Sequence, residues 1–579
     1  MSTDSRPPAS ASPDSPVSPA SGPGSGPGSA PGSVPDSALT ARTEQAADGA
    51  LLEVRELEVS FGSGPGEVRA VRGVSFDLRP GECLAIVGES GSGKSVTARA
   101  LVGLAGKRAR TSAGALTLDG VDLTGLTPGQ WRRIRGREVG LVLQAALVAL
   151  DPLRLVGQEV AEPLRAHRTV PTDQVGKRVL DLLSSVGVPE PEVRAAQRPG
   201  QLSGGLRQRA LIASAIACEP RMLIADEPTT ALDVTVQAQI LDLLSELKAS
   251  GTAVLLISHD LAVVARLADR VAVMKDGRFV EQGRTDEVLR NPGHPYTRLL
   301  LDAVPGSRRR TEAAGREKPT AAPVVLAADR LVKRYRRPAR HETFVAVDEV
   351  SFELRAGETL GVVGESGSGK TTLARMVLGL TRPDQGAVEL DGGPWSELGE
   401  RRRRPSRGRI QTVYQDPLSS FDPRHTVRRL LGHAVRAAGE GGGRAGRERI
   451  AELLAQVGLD PAIGTRRPAE LSGGQQQRVA IARALATRPR IVVCDEPVSA
   501  LDVSVAAQVL ALFTELQDRL GVSYLFISHH LGVIREVSDR VLVMKDGRVV
   551  ESGDVDTVFD HPQHPYTRAL LASVPRLER

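Results

Sequence analysis

The stretch GESGSGKS occupies residues 88–95, and a near copy, GESGSGKT, occupies residues 364–371. Each follows a short apolar run ending in the loop's first glycine, CLAIVG or TLGVVG. Each precedes a helix-forming segment, SVTARALVGL or TTLARMVLGL. Apolar runs of this length read as buried parallel strands. Strand, then G-x-x-x-x-G-K-[ST], then helix is the context of a phosphate-binding loop. Its glycines let backbone N–H groups turn toward an anion, and the helix N-terminus adds partial positive charge. The first loop comprises Gly88, Glu89, Ser90, Gly91, Ser92, Gly93, Lys94 and Ser95. The second comprises Gly364, Glu365, Ser366, Gly367, Ser368, Gly369, Lys370 and Thr371, with Thr372 behind it. Lys94 and Lys370 have the reach for β- and γ-phosphates, and Ser95 and Thr371 offer hydroxyls to Mg²⁺. A glycine-rich turn with an incidental lysine is the plainer reading of one such string, and two strings in the same context speak against it.

From residue 50 onward the chain repeats itself. LSGGLRQRALIASAIA (202–217) returns as LSGGQQQRVAIARALA (471–486), and LIADEPTTALDVTVQAQIL (223–241) as VVCDEPVSALDVSVAAQVL (492–510). LLISHDLAVVARLADRVAVMKDGR (255–278) returns as LFISHHLGVIREVSDRVLVMKDGR (525–548), and HPYTRLLLDAVP (294–305) as HPYTRALLASVP (564–575). The offset stays between 269 and 276 residues, a duplicated domain and not a solenoid period. The expected division is a Ser/Pro/Gly/Ala-rich tail at 1–49, one α/β domain at 50–305, a linker at 306–323 and a second α/β domain at 324–579. The tail lacks aromatics and cannot bury enough apolar area to offset its ordering entropy, so it is expected to be disordered. In ERIAELLAQVGLD, Ile450, Leu453, Leu454 and Val457 recur at helical spacing, so a helical insertion is expected in each domain.

Composition narrows the class. The 579 residues carry 75 basic and 69 acidic side chains, a net of +6, too mild to argue for a nucleic-acid partner. The run RRRR (401–404) reads as a solvated loop. Cys83, Cys218 and Cys494 are scattered beside apolar runs, as small buried side chains in a reducing compartment would be. The N-terminal stretch lacks the apolar segment of a secretory signal, and no uncharged apolar run approaches the ~20 residues that span a bilayer.

Two further groups carry chemistry. LIADE and VVCDE end apolar strands in paired acids. Asp226 and Asp495 suit Mg²⁺, while Glu227 and Glu496 would face the γ-phosphate and orient or deprotonate water. Solvated acids at a strand end are the alternative, weakened by the neighbouring phosphate loop. LSGG precedes a helix twice, so Ser203, Gly204 and Gly205, like Ser472, Gly473 and Gly474, form a second anion site or an ordinary N-cap, readings that are compatible.

The phosphate loop, LSGG, DEP, ALD and ISH, in this order and twice, resemble the nucleotide-binding domains of ABC ATPases over nearly all of residues 50–579. The resemblance implies tandem P-loop NTPase domains, each with a RecA-like core sheet, an antiparallel β subdomain and a helical insertion. It also implies head-to-tail packing, so that each ATP lies between one half's phosphate loop and the other half's LSGG. Lys94 would then share a nucleotide with Ser472 and Gly474, and Lys370 with Ser203 and Gly205. By position, Gln144 and Gln415 resemble the residues that touch Mg²⁺ and the attacking water, and His259 and His529 the histidines that contact the γ-phosphate. Asp233 and Asp502 resemble the family's D-loop residues, and Phe61 and Tyr335 lie where an aromatic stacks on adenine, or are core aromatics. Both halves keep every catalytic type, so two competent sites are expected. One departure is QAALVALDP (144–152) where the second half has QDPLSSFDP (415–423), which puts symmetric coupling in doubt.

The HPYT segments resemble the oligopeptide, dipeptide and nickel branch of bacterial ABC importers. That implies a peripheral ATPase at the cytoplasmic face of the membrane, two permease chains and an extracytoplasmic binding protein. The cysteine-rich C-terminal segment of some relatives is missing, so no iron–sulfur cluster is expected. A soluble tandem ATPase acting on ribosomes or DNA, and an exporter ATPase, stay open as alternatives. The short linker and scattered cysteines weigh against the first, and the paired HPYT segments against the second.

Overall fold

The computed structural model describes residues 49–106, 108–144, 149–230, 232–305, 322–337 and 342–574. The tail expected over 1–49 (save Gly49), most of the linker expected over 306–323, and residues 145–148 of the first glutamine segment lie outside the described residues. From Ala50 onward the chain forms one compact unit.

In the first half, β1 (Leu52–Phe61) pairs antiparallel with β2 (Val68–Leu78). Alternate residues Leu52 and Val54 are buried, and the alternation restarts at Leu57 because Glu56 inserts a bulge at φ 50°. Short strands at Ala109–Ser112, Ala115–Leu118 and Val121–Asp122 complete this antiparallel layer. The core sheet holds β3 (Cys83–Val87), β4 (Val139–Val142), β5 (Met222–Asp226), β6 (Ala253–Ser258), β7 (Arg270–Lys275) and β8 (Arg278–Arg284) in the order β8-β7-β3-β6-β5-β4. All neighbours are parallel except β7 and β8. The strands read as unbroken apolar runs because both faces are covered: Cys83, Ala85 and Val87 enter one core cluster, Leu84 and Ile86 another. One face receives α1 (Lys94–Leu101). The other receives the helices of the insertion, α2 (Val156–His167) and α3 (Val175–Ser185), with α4 (Gly204–Ala215), α5 (Val234–Ala249), α6 (Leu261–Leu267) and α7 (Pro295–Asp302).

The second half repeats the plan. β9 (Val324–Arg337) and β10 (Glu342–Arg355) pair antiparallel. β11 (Thr359–Val363), β12 (Ile410–Val413), β13 (Ile491–Asp495), β14 (Ser523–Ile527), β15 (Arg540–Lys545) and β16 (Arg548–Asp554) form the core sheet in the order β12-β13-β14-β11-β15-β16. Its main helices are α8 (Lys370–Val377), α9 (Val427–Ala437), α10 (Gly443–Gln456), α11 (Gly473–Leu485), α12 (Val503–Leu520), α13 (Leu531–Val537) and α14 (Pro565–Ala572). Ile450, Leu453 and Leu454 are buried along α10, and Val457 caps its end, as their spacing predicts.

This topology positions the site. β3, β5 and β6 are parallel neighbours, so their C-terminal ends share one edge, where a doubly wound sheet binds its ligands. The first phosphate loop leaves β3, Asp226 ends β5 with Glu227 just beyond it, and His259 follows β6.

Candidate nucleotide-binding site

At the start of α1 the phosphate loop is wedged under its neighbours. A Cβ on Gly88 (φ 151°) would lie 2.2 Å from the Met274 carbonyl, and one on Gly93 (φ 108°) 2.4 Å from the Ala70 carbonyl, so only glycine fits either place. Lys94 is buried, and its Nζ donates to the carbonyls of Gly88 (2.6 Å) and Glu89 (2.8 Å). Lys370 does the same to Gly364 and Glu365, at 2.6 and 2.8 Å. Burial lowers both ammonium groups from their usual range, against the pull of neighbouring carboxylates, first among them Glu227 and Glu496 respectively.

The acids stand beside these lysines. Ser95 Oγ donates to Asp226 Oδ1 at 2.9 Å, while Asp226 Oδ2 is buried with no protein partner among the described residues. Burial pushes the Asp226 and Asp495 carboxyls up. Glu227 and Glu496 sit one residue beyond their strands in the left-handed region, at φ 54° and 51°. That conformation costs a non-glycine residue about 1–3 kcal/mol and marks positions that the surroundings over-determine. Here a backbone bond holds each turn: the amides of Glu227 and Glu496 donate to Ile257 O and Ile527 O, both at 2.9 Å. The carboxylates thereby meet the histidines, with His259 Nδ1 2.6 Å from Glu227 Oε2 and His529 Nδ1 3.0 Å from Glu496 Oε1. Burial alone would raise the Glu227 carboxyl; hydrogen bonds from His259 and Thr230, with the charges of His259 and Lys94, outweigh it and hold the group low. Burial alone would lower His259, and Glu227 reverses the sign. Glu496 is held low in the same way by His529 and Lys370.

The opposite half closes this site. A cavity of about 200 Å³ is lined by Ser90, Gly91, Gly93, Lys94, Ser95, Gln144, Glu227 and His259 from the first half, and by Ser499, Ala500, Leu501 and Asp502 from the second. Ser90 N donates to Asp502 Oδ1 at 2.8 Å, and Ser504 Oγ donates to Glu89 Oε1. The reciprocal contacts are Ser366 N to Asp233 Oδ2 (3.4 Å) and Thr235 Oγ1 to Glu365 Oε1 (2.7 Å). In the second half Gln415 Nε2 donates to Glu496 Oε2 at 3.1 Å.

Other expected residues stand back from the cavity. Ser203 and Ser472 cap α4 and α11, so the N-cap reading holds for both. Gly473 packs on Leu501, which lines the cavity, while Gly205 and Gly474 pack against Val236 and Val505, at the starts of α5 and α12. Phe61 is partly buried against the first core and is not among the cavity residues; Tyr335 is 40% exposed, with Lys333 Nζ 5.7 Å from its ring centre. Sequence reasoning passed over Thr230, whose Oγ1 donates to Glu227 Oε2 at 2.7 Å, and Ser499, its counterpart. A hydroxyl three residues after the strand-end glutamate in both repeats was the available signal.

Comparison with known proteins agrees with this architecture. The family model of the ABC transporter matches residues 71–230 and 347–499, and that of the oligopeptide/dipeptide transporter C-terminal region matches residues 280–330 and 550–579. The glutathione import ATP-binding protein GsiA of Salmonella typhimurium is 42% identical over 481 residues, covering 79% of this chain and 77% of that protein. The oligopeptide transport ATP-binding protein OppD of Mycobacterium tuberculosis is 42% identical over 605 residues, covering 91% of this chain and 98% of that protein. Among solved structures, the complex of an archaeal ribosome recycling factor with a ribosomal stalk protein is similar in fold alone, with a TM-score of 0.57 at 23% identity over 86% of this chain and 90% of that one. Two matched segments that together span more than half of the sequence, and 42% identity along nearly the whole of a relative, establish that the chain belongs to the ATP-binding proteins of ABC transporters and that its reaction is the hydrolysis of ATP.

Proposed function

We propose that the chain is the ATP-hydrolysing motor of an importer for di- or oligopeptides, acting at two composite sites from the cytoplasmic face of the membrane, beneath two permease chains fed by an extracytoplasmic binding protein. The observation that carries the composite sites is the cavity shared by Lys94 and Asp502, residues more than 400 positions apart. The importer reading draws on the glutathione import and oligopeptide transport relatives. No helix among the described residues is long and apolar enough to cross a membrane.

In this reading Lys94 and Lys370, with the loop amides, hold the phosphates of ATP. Glu227 and Glu496 orient the attacking water and accept its proton, and His259 and His529 bridge glutamate and γ-phosphate. The donor set fits Mg²⁺: the Ser95 hydroxyl and the Asp226 carboxylate are hard oxygen ligands, and Asp226 Oδ2 is otherwise orphaned. Thr371 and Asp495 form the matching pair, with Gln144 and Gln415 beside each site. Bound there, the ion would neutralise charge on the phosphate oxygens. Phosphate held by both halves favours the closed arrangement and hydrolysis releases it, which is what rocks the permeases.

The reading is tested by uptake of labelled dipeptides, oligopeptides, glutathione and nickel in a strain lacking the gene, with the cloned gene restoring it. Loss of one peptide class is the expected result. Unchanged uptake of all four would overturn the importer reading and leave the ATPase assignment standing.

A further inference from the structure

An acid inside a phosphate-binding loop needs a physical reason, because its charge opposes the anion. Glu89 and Glu365 are such acids, and the two HPYT segments supply the reason. Each segment is built to deliver a tyrosine. His294 caps α7, its Nδ1 accepting from Tyr296 N at 3.1 Å, and Pro295 starts the helix. Glu281 pins the turn by accepting the amides of Gly293 (2.6 Å) and His294 (3.2 Å) and the Thr297 hydroxyl. His564 repeats the cap and Glu551 the two amide bonds ahead of Tyr566. Both tyrosines are buried, at 5% and 8% exposure. Each ring carries a lysine ammonium over its face, Lys275 at 4.9 Å and Lys545 at 4.8 Å. The hydroxyls end on the phosphate loop: Glu89 N donates to Tyr296 Oη at 3.2 Å, and Glu365 N donates to Tyr566 Oη at 3.1 Å.

The same glutamates are where the halves meet. The Glu89 carboxylate receives the hydroxyl of buried Ser504, and the Glu365 carboxylate that of Thr235, both from the opposite half. The Tyr296 segment reaches further across. Helix α7 packs against α12, and Pro305 O lies so near α13 that a Cβ on Gly532 would sit 2.6 Å from it.

We propose that Tyr296 and Tyr566 are positioning residues for ATP binding: each fixes the loop glutamate of its own half, so that the carboxylate turns from the phosphate pocket to the hydroxyl of the other half and ties the two together. The oligopeptide-type C-terminal segment is thus wired to closure. The inference rests on the composite-site reading.

The test is a double-mutant cycle in the full-length chain, measuring ATPase rate against ATP concentration and thermal unfolding. Tyr296→Phe/Tyr566→Phe keeps the ring and its lysine and removes only the hydroxyl. Ser504→Ala/Thr235→Val removes the receiving ends. Each pair should raise the KM for ATP about five- to tenfold, with kcat within about twofold, because a charged hydrogen bond used in binding is lost and not one formed in the transition state. The quadruple variant should be no worse than either pair, since all four groups act through one carboxylate per site. Tm should not move. If the Phe pair leaves KM unchanged while the Ala/Val pair raises it, the tyrosine relay is wrong and composite sites stand. If neither pair moves KM, the composite reading falls with it. Multiplicative effects, or a Tm loss without a KM change, also overturn the proposal.

Discussion

The glycines of the two LSGG signatures make a graded test of how each half braces the helix that reaches across to the other. A Cβ on Gly205 would meet three atoms of one side chain, Val236 Cγ1 at 2.6 Å, Cγ2 at 3.2 Å and Cβ at 3.4 Å. On Gly474 it would meet Val505 Cγ1 at 2.5 Å, but Val505 Cβ only at 3.8 Å. On Gly473 the nearest atom is Leu501 Cδ2 at 3.4 Å, and on Gly204 it is Leu232 Cδ2 at 3.9 Å. Carbon atoms prefer separations of about 3.5–4.0 Å. A rotamer change of Val505, costing about 0.5–1.5 kcal/mol, relieves Gly474→Ala. Rotation of Val236 does not fully relieve Gly205→Ala, because every staggered state leaves a methyl at the 2.6 or the 3.2 Å position, so helix α5 must retreat at about 1–3 kcal/mol. Helix propensity returns up to about 1 kcal/mol in every case. The net expectation is a loss of about 1–2 kcal/mol for Gly205→Ala, a Tm lower by about 2–8 °C. Gly474→Ala should be close to neutral, and Gly473→Ala and Gly204→Ala neutral or slightly stabilising. Retreat of α5 also draws Asp233 and Thr235 from the second phosphate loop, which should raise the KM for ATP in Gly205→Ala. Adding Val236→Ala should restore part of both, with a combined loss smaller than the sum. Equal melting temperatures for all four alanine variants, or no recovery with Val236→Ala, would refute the packing argument.

Glu227→Gln and Glu496→Gln should keep ATP binding and slow hydrolysis, by about 10²–10⁴ when both are present; near-normal turnover of the double variant would remove the assigned role. The Glu227–His259 pair also predicts a pH profile. Glu227 is held below its ordinary 4.5, so its contribution is present above that value and lost as pH falls through the lowered one. His259 is held above its ordinary 6.5, so its contribution is full below 6.5 and lost as pH rises through the raised value. The Tm gap between the natural chain and Glu227→Gln should therefore be widest from pH 4.5 to 6.5 and shrink toward alkaline pH; a gap that widens there would contradict the pairing.

What the sequence made legible follows from how local each constraint is. The phosphate loops, the strand-end acids and the buried strands are set by contiguous residues, and each sits where its string predicts. The left-handed turn at Glu227 and Glu496 was hidden, because a glutamate there breaks the glycine rule that would have signalled it. The partners of Glu89 and Glu365 were hidden for another reason: Ser504 and Thr235 are ordinary helix-start residues until a second copy of the fold is laid against them. Motif position offered Phe61 and Tyr335 as adenine-stacking or core aromatics; Phe61 is partly buried against a core, while Tyr335 is open.

In the proposed head-to-tail pairing the two sites are not equally braced. On the Lys94 side, Asp502 makes no cap bond to its own helix, and its Oδ1 accepts Ser90 N at 2.8 Å. On the Lys370 side, Asp233 divides its carboxylate: Oδ1 caps α5 through Val236 N at 2.9 Å, and Oδ2 reaches Ser366 N only at 3.4 Å. The signatures differ in the same sense. Ser472 N donates to Gln475 Oε1 at 3.1 Å and Gln475 N to Ser472 Oγ at 3.3 Å, whereas Leu206 stands at the matching position after Ser203 and has no side-chain acceptor to return. Asp233 and Ser203 both belong to the half that faces the second phosphate loop in the proposed pairing. Two independent weakenings therefore fall on one site. Each is worth a fraction of a hydrogen bond's ~1 kcal/mol, so on the proposed pairing the Lys94 site should bind the tighter by a factor of a few, as read from the Kd of a non-hydrolysable ATP analogue in Lys370→Ala against Lys94→Ala.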